Sequence, residues 1–451
     1  MVQCVISRVV RVASGRFAPG HLGELTQIVP FEMVDEVLAA SRRVQVRVRD
    51  LPSRVVVYLL LAAALFAELG YGQVWARLVA GVDGSCGLGL PVASPSSSAL
   101  CQARRRVGPG PLRALFELLA GPPAGAPRWR GWLLCAIDGT TVTVPNGEPN
   151  VTAYGRHAAG PNGDAGYPML RLLTVVACGT RTILGAVFGT CNDGETTYAP
   201  RLVGCLRPGM LLLADRGFAV TALFEAVAAT KAGFLVRCKD NRRLKPIQRC
   251  GDGTWLTRAG TLTLRVIEAE IHIQCAGGPT RTGRYRLLTT LTDHHHYPAR
   301  DLVELYHHRW EIETSYLELK STTLGGRVLR ARTPDGITQE IYALLVTYQA
   351  LRIAIADATL TRPGTPPDRG SFTTALNTAR DQIIHAAGII ADTTIDLIGT
   401  IGRAVLANLL PNRRARTSPR IVKRATSKHR AQSPTDRNNY RTTHTIHIPD
   451  G

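Results

Sequence analysis

The fold class depends on a short stretch near the middle of the chain, which reads Met210-Leu211-Leu212-Leu213-Ala214-Asp215-Arg216-Gly217-Phe218. Its first part is fully apolar and ends on an aspartate, which is typical of a short buried strand. A helical pattern, Val220 to Thr230, and another apolar run, Phe234–Cys238, follow it. A strand, a helix and a strand in succession predict a mixed α/β fold.

Strand and helix patterns extend this core in both directions. Four runs rich in β-branched residues come before it, namely Leu133–Ile137, Thr140–Val144, Leu170–Cys178 and Ile183–Phe188. Residues 240–290 alternate in polarity and predict a β-rich insertion. After it, Leu302 to Lys320 is predicted to be one long helix, and helical patterns return at Ile337–Ala356 and Phe372–Leu410.

The N-terminal region has the periodicity of helices. Apolar residues recur at helical spacing from Val34 to about Val82. Ser96 or Ser97 stands where an N-cap is needed, ahead of a helix that covers Ala99–Arg106. A Gly-Pro repeat ends that helix, and a further amphipathic helix is predicted over Leu112–Leu119.

These patterns divide the chain into seven segments. They are an N-terminal arm (1–30), a helical domain (31–127), the first part of the core (128–239), the β-rich insertion (240–292), the second part of the core (293–356), a C-terminal helical region (357–410) and a basic tail (411–451). The tail has little apolar material to bury and is expected to be disordered.

The charge balance indicates a polyanionic partner. The chain carries a formal net charge of +20, with a pI near 10.0. This surplus excludes an acidic or near-neutral enzyme and makes nucleic acid or an anionic surface the first partner to consider. Residues 1–130 contribute +7, residues 131–410 contribute +5 and the tail contributes +8. The nearly balanced centre leaves room for acidic residues that carry chemistry.

The spacing of the ten cysteines and the length of the apolar runs indicate the compartment of the protein. No two cysteines are close enough for a CxxC pair or a zinc ribbon, so buried free thiols are expected. The longest apolar run, Val55 to Ala67, is shorter than the ~20 residues that span a bilayer. We therefore expect a cytoplasmic protein that has no membrane partner.

Two aspartates end predicted strands. Asp138 precedes Gly139-Thr140, and Asp215 closes the apolar run at 210–214. Open α/β sheets place ligands at the carboxyl ends of their strands, so both residues are candidates for chemistry. A turn-forming or helix-capping aspartate is the alternative for each of them, and neither motif decides the matter alone.

A third carboxylate belongs to a more specific pattern. Tyr306, Arg309, Glu313 and Lys320 are spaced three, four and seven residues apart, so they share one face of the predicted long helix. A face that offers a carboxylate, two cations and a phenol suits a metal-bound phosphodiester. A solvated face with an ordinary Arg309–Glu313 ion pair is the alternative.

Three carboxylates on separate elements are what two-metal phosphoryl transfer requires. Two divalent ions about 3.5–4 Å apart activate the attacking oxygen and stabilise the leaving one. Oxygen ligands from Asp138, Asp215 and Glu313 favour Mg²⁺ or Mn²⁺ over zinc.

The order of these motifs resembles the DDE transposases of the insertion-sequence-four group of bacteria. The residues concerned are Asp-Gly-Thr at 138–140, Asp-Arg-Gly-Phe at 215–218 and the Tyr-x2-Arg-x3-Glu-x6-Lys spacing of 306–320. The stretch from Pro52 to Gly108 is similar to the N-terminal domain of that family. The resemblance implies an α/β fold: an RNase H-like mixed-sheet catalytic core with a β-rich insertion, preceded by an all-helical DNA-binding domain.

The resemblance also implies roles for individual residues. Asp138, Asp215 and Glu313 would hold two Mg²⁺ (or Mn²⁺) ions in each active site, and Tyr306, Arg309 and Lys320 would grip DNA phosphates. The partner would be double-stranded DNA, both transposon ends and target DNA. The protein would act as a homodimer in the cytoplasm, associated with the nucleoid. The reaction implied is nicking that leaves a 3′-OH, followed by direct strand transfer.

Several residues keep two interpretations. Some relatives stack a flipped base on an aromatic residue of the insertion, and Trp255 and Tyr285 are the candidates here. Arg216 suits either a phosphate contact or a salt bridge. Arg104, Arg105 and Arg106 either reach DNA or end a solvated helix. For the whole chain, the alternatives are an inactive or domesticated DNA-binding protein and a nuclease that cuts without joining.

Overall fold

The chain forms two compact units, each assembled from separate stretches of sequence. The computed structural model describes residues 21–47, 51–85, 94–156, 166–275, 281–385, 399–411 and 442–449. The first unit draws on Met1–Arg128, Asp138–Tyr198 and Glu311–Pro411, and the second on Trp129–Ile137, Ala199–Trp310 and Asn412–Gly451. The seven segments expected from the sequence patterns divide the chain differently, and they stay a prediction.

The elements follow one another in a mixed order. The helices are α1 (Phe31–Ala40), α2 (Ser53–Leu65), α3 (Tyr71–Ser85), α4 (Ser97–Val107), α5 (Gly110–Leu119), α6 (Glu148–Tyr154), α7 (Glu195–Tyr198), α8 (Thr221–Ala229), α9 (Ala299–Leu305), α10 (Trp310–Leu317), α11 (Pro334–Leu360), α12 (Phe372–Ile384) and α13 (Gly399–Ala407). The strands are β1 (Leu133–Thr143), β2 (Met169–Ala177), β3 (Ile183–Thr190), β4 (Met210–Ala214), β5 (Gly233–Arg237), β6 (Gln248–Arg249), β7 (Trp255–Ala259), β8 (Leu262–Cys275), β9 (Arg281–Thr289) and β10 (Thr442–His447). A 3-10 turn, Tyr306–Arg309, precedes α10, and a π-helical turn, Glu318–Thr323, follows it.

The N-terminal helices of the first unit are packed around α2. Every side chain from Val55 to Leu65 is buried, so the longest apolar run of the chain is a core helix. Leu22 and Leu25 are also buried. Residues 21–30 of the expected N-terminal arm therefore contribute apolar side chains to this core, and residues 1–20 lie outside the described part of the chain.

Helix α11 completes the core of the first unit. It has 27 residues and is long and apolar enough, by length and composition, to cross a membrane. Most of its apolar window is buried inside the protein, as in the central helix of a globular domain. Gln349 on this helix accepts a hydrogen bond from the Ile183 amide and donates one to the Leu119 carbonyl. These two bonds connect α11 to the start of β3 and to the end of α5.

The sheet of the first unit has the order β3-β2-β1. Strands β2 and β3 form an antiparallel hairpin that runs from the pair Leu170–Thr190 to the pair Val176–Ile183. Strand β1 belongs to this unit from residue 138 onward, while residues 133–137 belong to the second unit.

The second unit contains a sheet in the order β1-β4-β5-β9-β8-β7-β6. Strands β1 and β4 are parallel, as are β4 and β5, and α8 connects the latter two. Strands β6 to β9 are antiparallel and form the β-rich insertion, and β10 pairs with the outer part of β8. Each unit combines helices with a sheet, and the N-terminal region is helical, so the predicted mixed α/β fold class is confirmed.

Three local predictions are wrong for physical reasons. The two runs at 133–144 form the single strand β1, because Asp138 and Gly139 continue its extended backbone. The expected long helix over 302–320 is divided by the 3-10 turn and the π turn, which change the angle between successive side chains. Residues 442–447 of the expected disordered tail form β10, while residues 412–441 lie outside the described part of the chain.

Candidate active site

Asp138 is held through its main chain and its own side chain in the first unit. One carboxylate oxygen accepts a hydrogen bond from the Gly139 amide at 2.9 Å, and its carbonyl accepts one from the Tyr316 hydroxyl at 2.5 Å. The same hydroxyl bonds the Thr174 side chain at 2.9 Å and accepts from the Thr174 amide at 3.1 Å. Burial, together with the charge of Asp138, raises the pKa of Tyr316 well above its ordinary value. Tyr316 therefore keeps its proton and acts as the donor.

Glu313 and Lys320 lie on the same segment as Tyr316. Glu313 precedes Tyr316 by three residues on α10, so the two side chains share one side of the helix. In the π turn that follows, the Lys320 ammonium donates to the Thr140 hydroxyl at 3.1 Å. Burial lowers the pKa of Lys320. The first unit thus places Asp138 beside the helical segment that carries Glu313 and Lys320.

Asp215 directly follows β4 in the second unit. It is the N-cap of a short 3-10 turn, and its side chain accepts a hydrogen bond from the Gly217 amide at 2.7 Å. The carbonyl of the preceding residue, Ala214, accepts a hydrogen bond from the Tyr306 hydroxyl at 3.0 Å. Burial raises the pKa of Tyr306, so this hydroxyl also stays protonated. Tyr306 therefore fixes the strand end from which Asp215 projects.

The two aspartates come shortly after the residues of β1 and β4 that pair with each other. The parallel β1–β4 ladder runs from the pair Leu133–Met210 to the pair Ala136–Leu213. Asp138 and Asp215 each come two residues after the last of these pairs. The carboxyl ends of parallel strands are where open α/β sheets bind their ligands.

Arg237 is a further candidate that the sequence patterns did not single out. Val236 pairs with Ala214, so Arg237 is level with Asp215 at the carboxyl end of β5. Its guanidinium lies 4.1 Å from the ring centroid of Tyr285, and the Tyr285 and Tyr306 rings meet edge to face with centroids 6.3 Å apart. An arginine near the end of the predicted strand that follows the aspartate strand was the available signal in the sequence.

Two family models match this chain, and both describe transposases. The insertion element 4 transposase N-terminal model matches residues 19–117, and the transposase DDE domain model matches residues 130–349. The chain belongs to the insertion-sequence-four family of DDE transposases. A relative of known name supports this membership: transposase InsG for insertion sequence element IS4 of Escherichia coli (strain K12) is 27% identical over 415 residues, which are 87% of this chain and 90% of that one.

Two further likenesses cover less sequence or are more distant. The putative transposase InsZ of Escherichia coli (strain K12) is 29% identical over 42% of this chain and 62% of its own length. Among solved structures, a cryo-EM structure of the piggyBac transposase synaptic complex with hairpin DNA matches 90% of this chain and 87% of that chain, with 14% identity and a TM-score of 0.46.

Family membership establishes the activity in general terms. The protein is a DDE-type DNA transposase, an enzyme that uses a divalent metal ion and acts on DNA. Carboxylate oxygens from Asp138, Asp215 and Glu313 suit such a hard cation. Among the residues that the structure describes, no group of three or more His, Cys, Asp or Glu side chains is placed to hold a metal ion. The metal ligands of the transposase therefore stay a prediction.

The three consecutive arginines of α4 have different surroundings in the transposase. Arg104 stacks 3.9 Å from the ring centroid of Tyr71 and pairs with Glu340 at 3.7 Å. Arg106 donates to the Leu51 carbonyl at 2.6 Å. The side chain of Arg105 is exposed. DNA contact by this triplet stays a prediction, and Arg105 is the member best placed for it.

The other residues predicted to contact DNA lie at or near the strand ends and turns of the second unit. Arg216 is exposed directly after Asp215, and Arg309 lies over the Trp310 ring with 5.2 Å to its centroid. Trp255 is half-buried at the start of β7, where it pairs with Val266 of β8. Their contacts with DNA, and that of the Tyr306 hydroxyl, stay predictions.

Proposed function

We propose that this transposase binds the two ends of its own insertion sequence and cuts and joins DNA there, with Asp138, Asp215 and Glu313 as the metal ligands. The observation that carries the proposal is the hydrogen bond from Tyr316 to the Asp138 carbonyl. It ties the first aspartate to the helical turn on which Glu313 stands. The position of Asp215 two residues beyond the β1–β4 ladder supports its place in the same set.

We propose that the divalent metal is Mg²⁺ or Mn²⁺ and that two ions are used. When bound, the ions activate the attacking oxygen and stabilise the leaving one. The oxygen-only ligand set favours these cations over zinc. Around it, Tyr316 and Tyr306 hold the backbones of the two aspartate strands, and neither hydroxyl ionises near neutral pH, since burial raises the pKa of both.

Cations near these carboxylates supply the phosphate contacts in this proposal. Lys320 reaches the β1 segment through Thr140, two residues from Asp138. On the other unit, Arg216 and Arg237 flank Asp215, and Arg309 follows Tyr306 by one turn. Arginine binds phosphate oxygens in a bidentate manner, and lysine binds them as a point charge.

The partners and the compartment extend the same proposal. The net charge of +20 gives a sequence-independent attraction to double-stranded DNA, transposon ends and target alike. Arg105 of α4 is the exposed arginine that we assign to end binding. A homodimer would hold both ends at once. The cytoplasm contains the nucleoid DNA and keeps thiols reduced, in agreement with free cysteines such as Cys205 and Cys238.

The test uses labelled double-stranded DNA taken from the boundaries of the genetic element that encodes the chain, incubated with Mg²⁺. The wild type should produce a cleaved 3′-OH and a joined product, and Asp215→Ala should lose both. Glu304→Gln removes an exposed carboxylate from α9, paired with Arg300, and should keep wild-type activity. DNA binding without cleavage by the wild type would indicate an inactive binding protein, and cleavage without joining would indicate a nuclease.

A further inference from the structure

Four buried charged side chains lie on or next to the helical segment that carries Glu313. They form a network, here called the buried ion cluster, that consists of Arg181, Glu311, Glu318 and Arg352. Their side chains are 1%, 8%, 9% and 0% exposed, respectively. All four belong to the first unit. Two arginines and two glutamates give the cluster no net charge.

The contacts within the buried ion cluster are direct. The Arg181 Nε is 2.6 Å from Glu311 Oε2, and an Arg181 terminal nitrogen is 2.9 Å from Glu318 Oε1. Arg352 of α11 pairs with the second oxygen of Glu318, which also accepts a hydrogen bond from the Tyr348 hydroxyl at 3.0 Å. Burial by itself would raise the pKa of Glu318, but the charges of Arg352 and Arg181 hold that pKa below its ordinary value.

The glutamates of the cluster lie on the opposite side of the helix from Glu313 and Tyr316. Glu311 and Glu318 are seven residues apart, which brings them back to nearly the same side of an α-helix. At about 100° per residue, Glu313 and Tyr316 lie roughly 200° and 140° away from Glu311. The face with Tyr316 contacts Asp138, whereas the face with Glu311 contacts Arg181.

The cluster also includes the residue at which the π turn begins. Glu318 is the first residue of that turn, and Lys320 within it reaches Thr140. π turns are rare and are frequently found at functional sites. Arg181 comes from the β2–β3 turn and Arg352 from α11, so two separate elements contact the segment from 311 to 318.

Stability alone does not account for four buried charges. Replacing a buried ion network by well-packed apolar side chains is often neutral or stabilising, whereas directional ion pairs specify one geometry. An apolar contact would bury the same face but would tolerate rotation and sliding of the helix.

We propose that the buried ion cluster is a positioning device that fixes the rotation of α10 and the start of the π turn, so that Glu313 and Lys320 are presented toward Asp138 and Thr140. This rests on the roles proposed above for Glu313 and Lys320. A displacement of about 1 Å at a reacting group costs up to ~100-fold in rate. Loss of the cluster should therefore slow strand cleavage without weakening the binding of DNA.

The experiment measures three quantities for each variant. They are the midpoint of thermal unfolding, the dissociation constant for labelled end DNA in Ca²⁺, and the single-turnover cleavage rate at saturating DNA in Mg²⁺. Glu318→Gln breaks the cluster at its centre. The double variant Glu318→Met with Arg352→Met removes one balanced pair and leaves the Arg181–Glu311 pair in place. Asp252→Asn is the matched control, because it breaks the buried Arg265 ion pair of the insertion.

The expected results separate positioning from folding. Glu318→Gln should lower the unfolding midpoint and the cleavage rate, the latter by at least ~10-fold. The double variant should recover the midpoint but not the rate, and both should bind DNA within about twofold of wild type. Asp252→Asn should lose stability and keep its rate.

Three results would overturn the proposal. A double variant that cleaves at the wild-type rate would show that the cluster acts through stability alone, and the proposed function would stand. Weakened DNA binding that accounts for the whole loss of activity would also exclude positioning. A wild type that cuts no DNA end would overturn the proposed function and the inference together.

Discussion

Replacing Tyr316 by Phe removes one hydroxyl and keeps the ring. That hydroxyl donates to the Asp138 carbonyl at 2.5 Å and is bonded to both the hydroxyl and the amide of Thr174. Each net hydrogen bond contributes about 0.5–1.5 kcal/mol, and buried partners are left unsatisfied, so the free energy of unfolding should fall by about 1–3 kcal/mol. Asp138 also loses its link to the turn that carries Glu313. We expect the single-turnover cleavage rate to fall by about 10-fold, which corresponds to ~1.4 kcal/mol.

The assay combines chemical denaturation with single-turnover cleavage of end DNA. Tyr58→Phe is the control, because the hydroxyl of Tyr58 is also buried and also donates to a backbone carbonyl, that of Val29, at 2.7 Å. This control should lose about 1 kcal/mol of stability and no cleavage rate. If Tyr316→Phe were destabilised yet cleaved DNA as fast as the wild type, the hydrogen bond to Asp138 would have no part in placing the carboxylates.

Three further predictions concern other parts of the chain. Burial lowers the pKa of Lys320 below its ordinary value of 10.5, so its charge, and with it kcat/KM for cleavage, should decline as pH rises through that lowered pKa. Lys320→Arg should abolish this alkaline decline, and persistence of the decline would assign it to another group. In Gly139→Ala, the new Cβ would lie 2.6 Å from the Glu195 carboxyl carbon, so the free energy of unfolding should drop by about 1–3 kcal/mol and cleavage should slow. The control Gly147→Ala has open space around its Cβ and should match the wild type in both assays. Ser96→Ala removes the N-cap of α4 and should cost about 1 kcal/mol in urea unfolding, with recovery in Ser96→Asn; an unchanged midpoint would contradict the capping role.

The parts of the fold that local patterns specify were predictable from the sequence. Strand β4 has the predicted bounds, because its apolar run is closed on one side by a Pro-Gly turn and on the other by Asp215. The Ser96 cap and the end of α4 at Val107 also agree with the prediction, since capping serines and Gly-Pro pairs act within a few residues. The sequence placed both aspartates at the ends of predicted strand runs, and the structure puts Asp215 at the end of β4.

The features that local patterns could not predict depend on distant partners. No local pattern marks Glu311 and Glu318 as buried, and their ion pairs are with Arg181 and Arg352, which lie far along the chain. The same long-range contacts accompany the change from α-helix to π turn, which a single helical period cannot indicate. Strand β10 was missed because its pairing partner, β8, lies more than 160 residues earlier in the sequence.

Helix α11 has a consequence for the synthesis of the protein. Gln349 bonds the Leu119 carbonyl across 230 residues of sequence, and Arg330, just before α11, bonds the Ala63 carbonyl across 267. At ~5–20 residues per second, a ribosome needs roughly 10–50 s to make that intervening stretch. During that interval the apolar sides of α2 and α5 have no α11 to cover them. The nascent chain should therefore need a chaperone, and a fragment that ends near residue 128 should aggregate when expressed alone.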